Sequence, residues 1–170
     1  AHAGTFFAWT LAPLLVFVLK RNDSKYVESQ ALQALLWSLA GTLLAPRISD
    51  AEVAELRAYV DELDNYLSLD DFHLYFPLNL KFHDRVIELA GNGRLFDVYK
   101  RLTNELHTLR RNGLLRGGGL SVSNIEHRRI VDALDARDPA AAGAALQAHV
   151  RSGAQRFLKN MATPARTEVA

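Results

Sequence analysis

The chain has no cysteine among its 170 residues. Disulfides, thiolate zinc sites and cysteine nucleophiles are therefore excluded, and any metal must sit on histidine, carboxylate or amide oxygen. An excess of charge is lacking too: 20 Lys and Arg against 19 Asp and Glu leave a formal +1. No basic stripe follows any one helical segment, so the chain carries no electrostatic footprint for nucleic acid of its own. Long apolar runs are scarce. The exception, "FFAWTLAPLLVFVL" from Phe6 to Leu19, is interrupted by Pro13 and falls short of the roughly 20 residues that a membrane span needs. No basic stretch precedes it, as a signal peptide would require. It is read as packed or partner-covered structure in a cytoplasmic protein without a membrane partner. Strand alternation is missing after Asp23, and no repeat recurs at a fixed period.

What is present is helical pattern. With 49% hydrophobic and 23% charged residues, the chain can build one domain with a real core. A first helix from about Ser24 to Ala45 carries a stripe of Val27, Ala31, Leu35, Leu39 and Leu43 before Pro46 stops it. Ser49 lies three residues before Glu52, a capping-box spacing, and Val53, Leu56, Val60 and Leu63 form the stripe of the helix that follows. A third helix spans about Asp70 to Ala90, and Pro77 should kink or restart it. Gly91 is placed to end it and Asn92 to begin the next. That fourth helix, to about Asn112, buries Leu95, Tyr99, Leu102, Leu106 and Leu109. "RNGLLRGGGLSVS" reads as a loop, and Ser123 with Glu126 as a second capping box. Asp138-Pro139 opens the last helix, an N-cap followed by proline at the first helical position, and the helix reaches about Met161. The fold class predicted is all-α, a bundle of about six antiparallel helices.

Residues three, four and seven apart share a helix face. By that rule Asn79 and His83 face inward with Leu80, Val86, Ile87 and Ala90. His127 faces inward with Ile130, Val131 and Leu134. His149 shares an apolar stripe with Ala142, Ala145, Leu146, Gly153 and Phe157. His107 lies on a solvated face, His73 is undecided by its neighbours, and His2 is on the N-terminal end. Buried polar groups need partners, and a divalent metal would satisfy Asn79, His83, His127 and His149 together, leaving positions for water or an anion. The alternative is that each histidine is hydrogen-bonded separately in the core, because phase alone does not show that they converge.

The stretches "NLKFHDRVIELAGNGRLFDVY" and "SNIEHRRIVDALDARDPAAAGAALQAHV" resemble the FCD ligand-sensing domain of FadR-type GntR transcriptional regulators. The matching features are a polar residue four before Phe-His, the Ala-Gly-Asn break, Glu-His with Ala-Leu following, an Asp-started last helix and its His-Val. The resemblance covers roughly Ser24 to Lys159. It implies a helical bundle around a divalent transition metal, zinc foremost with nickel, manganese or iron as alternatives, held by Asn79, His83, His127 and His149. It also implies a small carboxylate or sugar-acid effector at or beside the metal, a homodimer, and operator DNA bound through an attached winged helix.

Three departures stand out. The family's usual aspartate is Asn79, which removes a negative charge from the ligand set. The arginine often found in the first helix is Gln30, the candidate effector-binding position, which offers neither the charge nor the two-pronged donor geometry of a guanidinium; Arg110 and Arg111 are possible replacements. The residues before Asp23 are too few for a winged helix, though "AGTFFAW" is compatible with a last wing strand. The expected organisation is an N-terminal segment over 1–22, a helical effector domain over 23–162 and a flexible tail over 163–170. The expected function is a sensing and dimerising module, without catalytic residues, whose operator binding comes from a winged helix outside this chain. Two alternatives are a metal-free ligand-binding domain and a His-ligated metallohydrolase, for which Glu126 is the nearest general base by sequence.

Overall fold

A computed structural model describes the backbone of residues 25–114 and 119–162, and the side chains of 30–103, 119–156 and 158. The expectations for the segment 1–22, the apolar run, the wing strand, the tail, His2, His107, Arg110 and Arg111 lie outside the described residues or side chains. Six helices follow in order: α1 Lys25–Leu44, α2 Asp50–Ser68, α3 Phe72–Leu89, α4 Gly93–Leu114, α5 Gly119–Asp135 and α6 Pro139–Ala162. No strand occurs among the described residues, so the all-α bundle is as expected. None of these helices is long and apolar enough to cross a membrane.

Helix ends follow local chemistry. The capping box at α2 has both arms: the Ser49 amide donates to Glu52 Oε2 at 2.7 Å, and the Glu52 amide donates to Ser49 Oγ at 3.3 Å. Asp71 caps α3 by accepting from the Leu74 amide at 3.0 Å. Gly91, at φ 68°, takes the left-handed turn that closes α3, and Asn92 Oδ1 accepts from the Leu95 amide at 3.1 Å to start α4. Asp138 Oδ1 accepts from the amides of Ala140 and Ala141, and Pro139 is the first residue of α6.

Packing overrides three of the expectations. Leu39 of the proposed α1 stripe is 40% exposed, and Leu35 and Leu43 are only half-buried. Ala31 of the stripe is buried, but so are Gln33, Ala34, Leu36, Trp37, Ser38, Ala40, Gly41 and Leu44, nearly all round the helix. The reason is that α1 lies along α6 and also touches α3 and α4, so no single stripe describes it. A Cβ on Gly41 would sit 2.7 Å from the Ala142 backbone, and one on Gly143 would sit 2.9 Å from the Ser38 carbonyl oxygen. Small residues let α1 and α6 approach closely.

The glycine-rich stretch is the second correction. α4 continues through Gly113 to Leu114, α5 already begins at Gly119, and Ser123 is buried inside α5 rather than capping it. Third, α3 does not restart at Pro77, which lies inside one continuous helix. Pro77 lies in its second turn, and the carbonyl it cannot serve belongs to exposed His73, where water can take the bond. The main core runs from Trp37 and Leu44 through Leu56, Phe82, Ile87 and Ile130 to Leu146, all buried.

Candidate metal and effector site

α3, α5 and α6 each bring one imidazole to the same interior point. His83 Nε2 lies 3.0 Å from His127 Nε2 and 3.1 Å from His149 Nε2, and the ligand atoms of all three lie within 4.8 Å of one another. All three rings are buried, with His127 wholly inaccessible. Aromatic side chains wall the cluster. The Trp37 ring meets His83 edge-on at 5.1 Å between centroids, and Phe82 lies 4.6 Å from His127.

The outer nitrogens are specifically held. His149 Nδ1 lies 2.8 Å from Glu126 Oε2, a geometry in which the ring donates from Nδ1 and leaves Nε2 bare. His127 Nδ1 lies 3.3 Å from Asn124 Oδ1. Asn124 is itself fixed by donating to the Val60 carbonyl at 3.2 Å and to Asp64. Burial pushes the His127 imidazole well below its ordinary pKa, and the charge of Arg156 pushes the same way, so the ring is neutral. For the Glu126 carboxyl, burial works upward but is outweighed by hydrogen bonds from His149, Arg156 and Ser152, which bring it down to about 2. Glu126 is therefore an anion facing His149 Nδ1. It is not the cap of α5 that its spacing from Ser123 suggested.

With Nδ1 donating on both His127 and His149, their Nε2 lone pairs converge on His83 Nε2. One proton on His83 Nε2 can serve only one of them, and the Ser123 hydroxyl stands 3.5 Å from His127 Nε2 as a further, long donor. A cation at the meeting point serves all three, and nitrogens held about 2.1 Å from one ion lie about 3 to 3.5 Å apart, close to the two separations measured from His83 Nε2. Asn79 adds a second indication: it is 2% exposed, one turn before His83 on α3, and its Oδ1 has no hydrogen-bond partner. The donor set fits a divalent transition metal, with Asn79, His83, His127 and His149 as the residues to hold it.

Gln30 sits half-buried in α1, two turns before Trp37 and therefore on the Trp37 side of the helix. His73 is exposed and takes no part. Sequence reasoning missed Asn124 as the holder of His127 and Arg156 as a partner of Glu126. It noted Glu126 only as half of a capping box and as the general base nearest by sequence.

The described residues thus place a buried cluster of three histidines inside an all-α bundle. The FCD domain family matches residues 28–152, and the chain belongs to that family. A transcriptional regulator of Streptomyces ambofaciens, described as an uncharacterized HTH-type regulator in an unstable DNA locus, is 27% identical over 137 residues, covering 80% of this chain and 57% of the relative. A solved structure of Streptococcus agalactiae GntR superposes with a TM-score of 0.63 at 24% identity, over 74% of this chain and 56% of that one. The chain thus spans little more than half the length of these relatives.

Proposed function

We propose that this chain is the effector-sensing and dimerising part of a GntR-family transcriptional regulator of the FadR subfamily. In this reading Asn79, His83, His127 and His149 hold a divalent metal, zinc foremost, and a small carboxylate or sugar acid binds beside it. The observation that carries the reading is the convergence of three Nε2 atoms from three helices, 3.0 and 3.1 Å apart. The metal, when bound, supplies a Lewis-acidic anchor for an effector oxygen.

The chain's own residues do the rest. Glu126 and Asn124 hold the His149 and His127 rings with Nε2 inward, while Trp37 and Phe82 wall them with apolar surface. Glu126 is engaged by His149 and Arg156, which makes it a poor general base and supports binding over hydrolysis. A ligand shared by α3, α5 and α6 favours the helix packing it binds best, and so biases how an attached winged helix is presented to operator DNA. The segment 1–22 is assigned to the connection with that winged helix.

The test is thermal unfolding of tag-free protein, stripped with chelator and then titrated with zinc followed by small acids. Zinc should raise the melting temperature, an acid should raise it further, and His127→Ala should abolish both. Zinc without any effect on wild type would reject the metal centre, and zinc binding with no response to any acid would reject the sensor.

A further inference from the structure

A carboxylate taken into the interior is held best when a second cation stands beside the metal, and Gln30 does not supply one. Arg156 on α6 is such a cation. Its side chain is 16% exposed, and it lies seven residues after His149, so both leave α6 on the same side. It shares Glu126 with His149, which sets it beside the histidine cluster.

The guanidinium is incompletely used. Its Nη1 and Nη2 approach Glu126 at 3.2 and 3.3 Å, long for a charge-assisted pair, which closes to about 2.8 Å. Nη1 also donates to Ser152, and Nε is buried with no partner. A second unspent donor is buried on α1. Gln33 is 5% exposed, its Nε2 has no partner, and it lies one turn before Trp37, which abuts His83. α1 and α6 are packed along one another, so Gln33 Nε2 and Arg156 Nε are two buried donor atoms without acceptors on adjoining helices. Polar atoms buried in this way are costly unless an acceptor arrives.

We propose that Arg156 is that second cation and grips the effector's carboxylate, with Gln33 donating to a second oxygen of the same small acid. The proposal rests on the reading of this centre as a metal-dependent acid sensor. It makes the ligand an acceptor-rich hydroxy acid, and it makes Glu126 the group that holds Arg156 in place until the acid binds.

The experiment uses the full chain loaded with zinc, with citrate, L-lactate and D-gluconate as probes and glycerol as the uncharged control. Affinity is read by calorimetry and zinc content by elemental analysis. At least one acid should bind wild type. Arg156→Gln should keep its zinc and lose that acid by tenfold or more, with Arg156→Lys recovering only part. Gln33→Leu removes an orphaned donor, so it should leave the acid-free melting temperature unchanged or higher while weakening the acid several-fold. A structural role alone would not separate the two readouts in that way. Full acid affinity in Arg156→Gln overturns the assignment and leaves the sensor reading intact. Loss of zinc in Arg156→Gln also overturns it, assigning Arg156 to support of His149 instead. Undiminished acid binding by Gln33→Leu removes Gln33 from the site. If no acid binds zinc-loaded wild type, the sensor reading itself fails.

Discussion

His127 has no exposed surface, and its buried ring is kept neutral and oriented by Asn124. His149 is oriented by Glu126 in the same manner. Groups that hold a metal-binding imidazole from behind commonly change metal affinity by 10- to 100-fold. Glu126→Gln, which keeps size and loses charge, should therefore weaken zinc by about that factor, with helix content by circular dichroism unchanged. Asn79→Asp restores a carboxylate beside the three imidazoles and should tighten zinc on the order of tenfold; equal affinity would remove Asn79 from the ligand set.

Tyr75, fully buried and donating to the Leu120 carbonyl at 3.3 Å, has its phenol pushed up to about 12 by burial. An unfolded tyrosine titrates near 10, so the fold favours the neutral ring. Its contribution is complete below pH 10 and is lost as pH rises through about 12. The melting-temperature difference between wild type and Tyr75→Phe should therefore shift in favour of the variant above pH 10, and a difference constant from pH 8 to 11.5 would contradict this. At this scale the histidines were legible, because helical phase reports which side of one helix a residue takes. Glu126 and Asn124 were not. Glu126 stands about a third of a turn from His127 and faces α6, a neighbour that α5's own periodicity does not name.

Helix termini were the most legible elements, since a cap involves residues three apart in sequence. Ser49 with Glu52, Gly91, Asn92 and Asp138 with Pro139 all act where their spacing put them. The α1 stripe and the start of α5 were illegible for the opposite reason. Their burial is set by partner helices, and a run of leucines every fourth residue led away from the small residues that α6 requires. Gly143→Val should show this directly: its side chain would meet the Ser38 backbone, a fixed obstacle, and overpacking of this sort costs about 1–3 kcal/mol or more. A clear fall in melting temperature is expected, with Gly93→Ala, which meets nothing within 4 Å, as the control. Asp70 takes φ 54° just after α2, a region that costs a non-glycine residue about 1–2 kcal/mol. Asp70→Gly should raise chemical stability by up to about 1 kcal/mol, the unfolded chain's greater freedom offsetting part of the relief.

At the scale of the molecule, the ordered series of Asn79, His83, Ala90-Gly91-Asn92, Glu126-His127 and His149 carries the family likeness in the sequence alone, and the FCD match over 28–152 bears it out. What the order of residues along the chain does not contain is distance. Phase could place three imidazoles on inward faces; only the packing of α3, α5 and α6 brings their Nε2 atoms to 3.0 and 3.1 Å. The proposed homodimer is checked by sedimentation, which should give twice the 18.9 kDa chain mass; a monomer at all concentrations would remove the dimerising role and leave the metal centre untouched. The most direct test of the central claim is elemental analysis of protein produced without a polyhistidine tag. The account predicts about one divalent transition metal per chain, lost when His83, His127 and His149 are together replaced by alanine. Metal-free wild type that takes up no zinc, or metal retained at the same level by the triple variant, would contradict it.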